Sequence, residues 1–312
     1  MSRRRDKKHE KARTEVHMKK QLGSLYVILS AVLFGTMPLL AKVAYAHGSN
    51  AYTVAFSRFL LGSAILGLVT VILPGCSVKV SRRQLLEVFK LSVAYALMPI
   101  MLYTSYNYIG GGLATTLHFT YPVAVIVIMA VFCKRKPDAK QVVCTVLCLA
   151  GLVLLSTPDS HPSAAGIALA VGSGIVYAVY IVLLGKSTAR ELHPLTLAFW
   201  MSLFAAAEIG AAALAAGELQ LSLDGTGWAA EVAMALGATV FALVLFQKGL
   251  FLCGEVKASL LSTFEPLTGI VIGVIVFHEA LTVGEGMGIV LILAAAVLLV
   301  LPTDGIKNKM KK

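Results

Sequence analysis

Four residues with chemistry to offer stand just before prolines inside otherwise apolar runs: His118 and Tyr121 precede Pro122, and Thr263 and Glu265 precede Pro266. A proline there removes one backbone hydrogen bond and frees a carbonyl, which hydrocarbon tolerates only where protein or water supplies a partner. Glu265 is the sharpest of the four. A carboxylate at the centre of a bilayer costs on the order of 3 kcal/mol. Desolvation disfavours its charged form, so a Glu at that depth can exchange a proton with each side of the membrane in turn. A helix–helix hydrogen bond, or a pair with Arg58, would account for it as well. His118 has no second His at ligand spacing and reads as a hydrogen-bonded packing residue or a substrate contact rather than a metal ligand.

Arg58 lies about eight residues, or roughly 12 Å, inside its apolar run, which is deep for simple snorkelling. It needs a carboxylate, either on a substrate matched to its planar donors or internally at Glu265 or Glu208. Tyr103, Ser105, Tyr106 and Asn107 punctuate the third run, and Gln247 holds the place in the second half that Tyr103 holds in the first. With Tyr177 and Tyr180 in the sixth run and Thr36 beside Pro38 in the first, they complete the candidate lining of a polar cavity. Lys42 and Lys90, near run ends, are expected to snorkel. Nothing calls for a cofactor, and no spacing suits a metal.

These residues sit on elements suited to lipid. With 58% hydrophobic residues and a mean hydropathy of +0.82, the 312-residue chain has too few polar side chains to cover a soluble globule. Apolar runs stand near 24–46, 50–73, 86–109, 113–133, 141–156, 164–185, 195–216, 228–247, 256–277 and 285–301. Most approach the roughly 20 residues that span hydrocarbon, and the fifth is short. The expected fold is an all-α membrane protein of ten transmembrane helices.

The formal charge of +11 is concentrated in the tails: residues 1–22 hold nine Lys or Arg, and Lys307, Lys309, Lys311 and Lys312 close the chain. Neither tail interleaves aromatic residues as a nucleic-acid binder would, so no nucleic-acid partner is expected. Ten spans with both ends inside make alternate connections cytoplasmic. Those connections carry eleven basic residues, and the five outer ones near 47, 110, 160, 221 and 281 carry none. Both termini are expected on the cytoplasmic side.

The chain also repeats itself. Thr53-Val54-Ala55-Phe56 matches Thr196-Leu197-Ala198-Phe199 at an offset of 143, and after one inserted residue the offset holds at 144 through Glu87 with Glu231, Gly110 with Gly254, and Pro122 with Pro266. Five spans per copy is an odd number, so the second copy must run through the bilayer upside down. The expected organisation is a basic tail over 1–22, a first repeat over 23–156, an outer linker over 157–165, a second repeat over 166–302 and a basic tail over 303–312.

Arg58-Phe59-Leu60-Leu61, the Tyr121-Pro122 and Glu265-Pro266 elements and His278-Glu279 together carry a likeness. On them the chain resembles the drug/metabolite transporter superfamily, and within it the EamA-like family of ten-helix carriers with two homologous halves, over roughly residues 24–301. Arg135 stands where Glu279 does in the other half, so the motif is incomplete there. The resemblance implies a plasma-membrane secondary transporter of small polar metabolites, commonly an exporter of amino acids or related compounds, driven by protons, another coupling ion or exchange. The physics above places its cavity between the fourth and ninth spans, with the first, third, sixth and eighth around it. The alternatives are an importer of a vitamin or carboxylate within the same family, and an intramembrane lipid-processing enzyme. The chain has no HExxH, no Gly-Ser-Gly elbow and no phosphate-cradling loop, so it reads as a non-enzyme. Its expected partners are a small-molecule substrate and the bilayer, and it is expected to be a monomer or a homodimer.

Overall fold

Hydrocarbon offers no hydrogen bonds to a backbone, so each apolar run closes its own ladder as a helix. The computed structural model describes residues 2–105, 107–109, 111–155, 163–278 and 281–301, and among them all ten runs are helical and none is a strand. Nine spans are long and apolar enough to cross a membrane: Met18–Ala46, Ala51–Ile72, Arg82–Ser105, Leu113–Val131, Ala164–Lys186, Pro194–Ala216, Gly225–Cys253, Glu255–Val276 and Val283–Val300. The fifth in chain order, Ala139–Leu155, has 17 residues. At 1.5 Å per residue it covers about 25 Å, slightly less than the hydrocarbon layer. The sixth span starts at Ala164, so the last two residues of the expected 157–165 linker belong to a helix.

Local chemistry sets the ends. The Asn50 side chain accepts from Thr53 N at 2.8 Å to begin the second span, and Asp224 accepts from Gly227 N at 2.8 Å to begin the eighth. Pro194 opens the seventh, and Thr282 with Glu285 forms a capping box on the tenth. The eighth span outruns the expected 228–247. Lys248 is exposed, with its ammonium 5.9 Å from the Tyr26 ring, so its charge leaves the bundle and the helix continues to Gly254, where φ is +88°.

Three spans are broken. The first divides at Thr36, the fourth between His118 and Tyr121, and the ninth between Leu261 and Phe264. At each break a threonine hydroxyl donates at 2.7 Å to the carbonyl three residues back: Thr36 to Leu33, Thr120 to Leu117 and Thr263 to Leu260. The prolines behind these breaks were visible in the sequence, and the threonines supply part of the pairing that the interrupted ladders lack. The eighth span contains an unforeseen π-helical stretch, Ala235–Ala242, whose last carbonyl accepts from Ser30 Oγ of the first span at 2.7 Å. Its small apolar residues left no sign of it in the sequence.

The two halves are inverted copies. The first span packs on the eighth and ninth and the sixth on the third and fourth, which is one arrangement seen in both directions, while the second packs on the seventh and the fifth on the tenth. Among the described residues only Lys134 (52°) and His278 (54°) combine a side chain with positive φ, and they stand at the repeat spacing. Where the second and seventh spans cross, a Cβ on Gly210 would lie 2.7 Å from the Phe56 ring, and one on Gly67 would lie 2.9 Å from the Phe199 ring. Each phenylalanine thus fills the space left by the other span's glycine. The connections fall on two faces. On the basic face Thr196 Oγ1 donates to Ser77 O at 2.8 Å, and Trp200 Nε1 to Val78 O at 2.9 Å. On the opposite face His47 Nδ1 lies 2.7 Å from Asp224 Oδ2. The Gly227 N–H and then His47 hold the Asp224 carboxyl below its ordinary value, so what this clasp contributes is present above that value and is lost as pH falls through the lowered one.

Gly67→Ala and Gly210→Ala should each destabilise the bundle by about 1–3 kcal/mol through overpacking, and by similar amounts because the sites are symmetric. Thermal unfolding in detergent checks this; an effect at one site alone would contradict the symmetry.

Candidate functional site

A cavity of about 300 Å³ opens on the face opposite the basic loops. Asn50, Tyr52 and Ala55 of the second span form one wall, Ile100, Tyr103, Thr104 and Asn107 form another, and Glu218 closes the rim. Asn50 Nδ2 donates to the Glu218 carbonyl at 2.6 Å, which ties the rim to the second span. One helical turn below Ala55, on the same face of its helix, lies Arg58.

Arg58 is 4% exposed. Nη1 donates to Met37 Sδ at 3.1 Å, at the break of the first span, and the guanidinium carbon lies 4.3 Å from the Phe59 ring centre. Its Nε has no hydrogen-bond partner, and no ion pair among the described residues includes it. Both sulfur and ring are weak partners for a buried cation. Glu265 and Tyr103 lie within Coulombic reach of the guanidinium. Glu265 is part-exposed, and no hydrogen bond or ion pair to its side chain occurs among the described residues. Two opposite charges thus stand near each other at depth without forming a salt bridge.

Rings from the second, third, sixth and fourth spans pack in one continuous row: Phe59 meets Tyr95 at 5.5 Å, Tyr95 meets Tyr180 at 4.8 Å, Tyr180 meets Tyr177 at 5.7 Å, and Tyr177 meets Tyr121 at 4.8 Å. The cavity described above lies between the second and third spans, whereas the sequence pointed to the space between the fourth and ninth. The sequence reading missed Tyr95, which sits in an ordinary apolar run with nothing to mark it.

Of the residues singled out from sequence, Arg58, Tyr103 and Glu265 come together, and Asn107 joins them through the cavity wall. Tyr106 and Glu279 lie outside the described residues. His118 is enclosed, with Nδ1 2.9 Å from Ser173 Oγ and three rings within 5.7 Å. Tyr121 and Tyr180 are buried in the ring stack, and Tyr177 links them. Gln247 is fully buried, with Nε2 donating to Met201 Sδ at 3.3 Å, so it does not line the cavity as expected from its match with Tyr103. Thr36 and Thr263 donate to backbone at their breaks. Glu208 accepts from Ser92 Oγ at 2.8 Å rather than pairing with Arg58. Pro122 and Pro266 stand at the breaks. There a Cβ on Gly174 would lie 2.6 Å from the His118 carbonyl, and one on Gly35 would lie 2.6 Å from the Glu265 carbonyl.

One functional pair was matched in the sequence but not recognised as a site. Glu231, fully buried at the start of the eighth span, accepts from Ser49 Oγ at 2.7 Å and from Ser57 Oγ. Its repeat counterpart Glu87 accepts from Ser187 Oγ at 2.7 Å, Thr188 N at 2.9 Å and Thr188 Oγ1 at 2.7 Å. Each carboxylate holds the connection between the first two spans of the other half, one on each face. Ser57 is also the neighbour of Arg58, so Glu231 steadies the turn that carries the guanidinium.

Two inverted five-helix halves with broken spans and unpaired charge at depth make up a membrane transporter. The chain belongs to the EamA-like transporter family, which matches residues 21–157 and 164–301. An uncharacterized transporter of Archaeoglobus fulgidus is 28% identical over 88% of this chain and 95% of its own length. The threonine/homoserine exporter RhtA of Escherichia coli (strain K12) is 35% identical over 44% of this chain and 45% of its own. A crystal structure at 16% identity superposes with a TM-score of 0.74 over 88% of this chain and 95% of that one, which shows the shared fold.

Glu231→Ala should lower stability by about 1–3 kcal/mol, because two buried hydroxyls lose their acceptor, and Glu231→Gln, which keeps one oxygen, should cost less. Thermal unfolding of both variants checks the order; equal losses would show that the acceptor is not what matters.

Proposed function

We propose that this protein exports amino acids or closely related zwitterions across the plasma membrane by alternating access. The observation that carries the reading is the closeness of Arg58, whose Nε has no hydrogen-bond partner, to Glu265, whose side chain has no hydrogen bond or ion pair among the described residues, beside a cavity. A zwitterion supplies what each lacks: its carboxylate faces the planar guanidinium and its ammonium faces the Glu. Threonine and homoserine, for which the relative RhtA is an exporter, are zwitterions of this kind.

The cavity is reached from the face opposite the basic loops. The basic face is held by Glu87 on the sixth-to-seventh connection and by Glu255, which lies 4.0 Å from Arg135 and 3.9 Å from Lys186. The concentration of Lys and Arg on that face supports a cytoplasmic position for it and for both termini. Export then needs the reverse state, in which the contacts at Glu87 and Glu255 part and those at Glu231 and Asp224 close. Glu265 couples the cycle by exchanging a proton on whichever side the cavity opens.

Proteoliposomes loaded with radiolabelled threonine test both charges. Arg58→Lys should weaken apparent affinity about tenfold or more, because a point charge replaces a planar donor pair worth roughly 1.5–3 kcal/mol; full retention of affinity would remove Arg58 from the binding site. Glu265→Gln should abolish flux driven by a pH gradient and weaken counterflow at equal pH, while leaving the protein folded. A proton dependence identical to that of the parent would end the coupling role. Export of no amino acid, with uptake of a simple carboxylate instead, would favour an importer.

A further inference from the structure

Toward the basic face a groove of about 310 Å³ opens sideways between the first, ninth and tenth spans. Ile28, Phe264, Leu293 and Val297 wall it, and Gln21 and Leu301 stand at its rim. Val297 is 60% exposed and Leu301 51%, so the groove is open along the flank of the bundle, where a membrane protein meets acyl chains.

The charge at one end of this groove distinguishes it from an ordinary lipid-facing surface. Lys140 Nζ donates to the Leu301 carbonyl at the rim, and Lys20 directly precedes Gln21. Lys257, about two turns before Phe264 on the ninth span, lies within electrostatic reach of both Lys140 and Lys20. Three cations from three elements therefore converge. The neighbouring carboxylates are already engaged: Glu255 with Arg135 and Lys186, and Asp138 with the Gln141 N–H at 2.7 Å. None of the three lysines forms an ion pair among the described residues.

Mutual repulsion of these ammonium groups would be relieved by an anion between them, and the groove beside them suits a hydrocarbon chain. Basic pockets between transmembrane helices are suited to anionic headgroups. We propose that this groove binds one anionic phospholipid from the leaflet on the basic face, its phosphate among Lys20, Lys140 and Lys257 and one acyl chain along Phe264, Leu293 and Val297. Phe264 opens the helix after the break of the ninth span and is the neighbour of Glu265, so the bound chain backs the broken segment from the lipid side. The proposal does not depend on which solute the protein carries.

The test uses the full chain, purified and stripped of lipid in detergent, then given phosphatidylglycerol, phosphatidylcholine or inorganic phosphate. Thermal unfolding and native mass spectrometry are the readouts. Phosphatidylglycerol should be retained as a single molecule, bind roughly tenfold more tightly than phosphatidylcholine and raise the unfolding midpoint. The double variant Lys140→Gln/Lys257→Gln should lose that preference, and Val297→Trp, at an exposed lip position, should lose retention of the lipid. Equal binding of the two lipids, an undiminished preference in the lysine variant, or the whole midpoint shift from inorganic phosphate would each overturn the proposal. If the lysine variant does not fold, Val297→Trp decides: retention of phosphatidylglycerol as in the parent refutes the groove, and its loss supports it.

Discussion

The second half of this chain must traverse the bilayer in the opposite sense to the first, and the rest of the structure depends on that. An inverted copy can bury its contact surfaces only against its partner, so each contact between halves occurs twice, once each way up. The Phe56–Gly210 and Phe199–Gly67 pairs show it at the level of single rings, and Glu87 and Glu231 show it in hydrogen bonds. Two related states of similar energy follow naturally from such a design, because the contacts that seal one face have counterparts able to seal the other.

Within that frame the expensive features are concentrated. A buried guanidinium held by a thioether and a ring, and a carboxylate with no partner among the described residues, are poor contributors to stability. The broken spans beside them add interrupted backbone ladders, which threonine hydroxyls repair only in part. The surrounding ring stack, from Phe59 to Tyr121, is by contrast dense and aromatic, and the cavity between the second and third spans lies beside it.

Much of the architecture could be read directly from the chain. Ten apolar runs, the basic loops and the offset of 143–144 residues each follow from one-dimensional pattern, since helices in lipid close their own hydrogen bonds and need no distant partner to exist. Arg58, Glu265 and the two prolines were also visible, because a polar or ladder-breaking residue in hydrocarbon is conspicuous by type alone. Other assignments went differently. Gln247 matched Tyr103 by position, yet a rotation of its helix face set it against Met201. Thr36 and Thr263 looked like cavity polarity and turned out to serve the backbone at their breaks.

What the sequence determined by itself was the number of spans and the opposite sense of the two halves, along with the few residues too polar for lipid, because the bilayer imposes those constraints on each segment separately. Which side chains meet was decided only by the tertiary packing. Helix rotation and crossing filled the space between the fourth and sixth spans with tyrosines, opened the cavity beside the second and third, and turned a matched pair of glutamates into clasps on opposite faces. Those outcomes depend on how large and small side chains interlock between helices far apart in the chain, and no pattern along a single span records that.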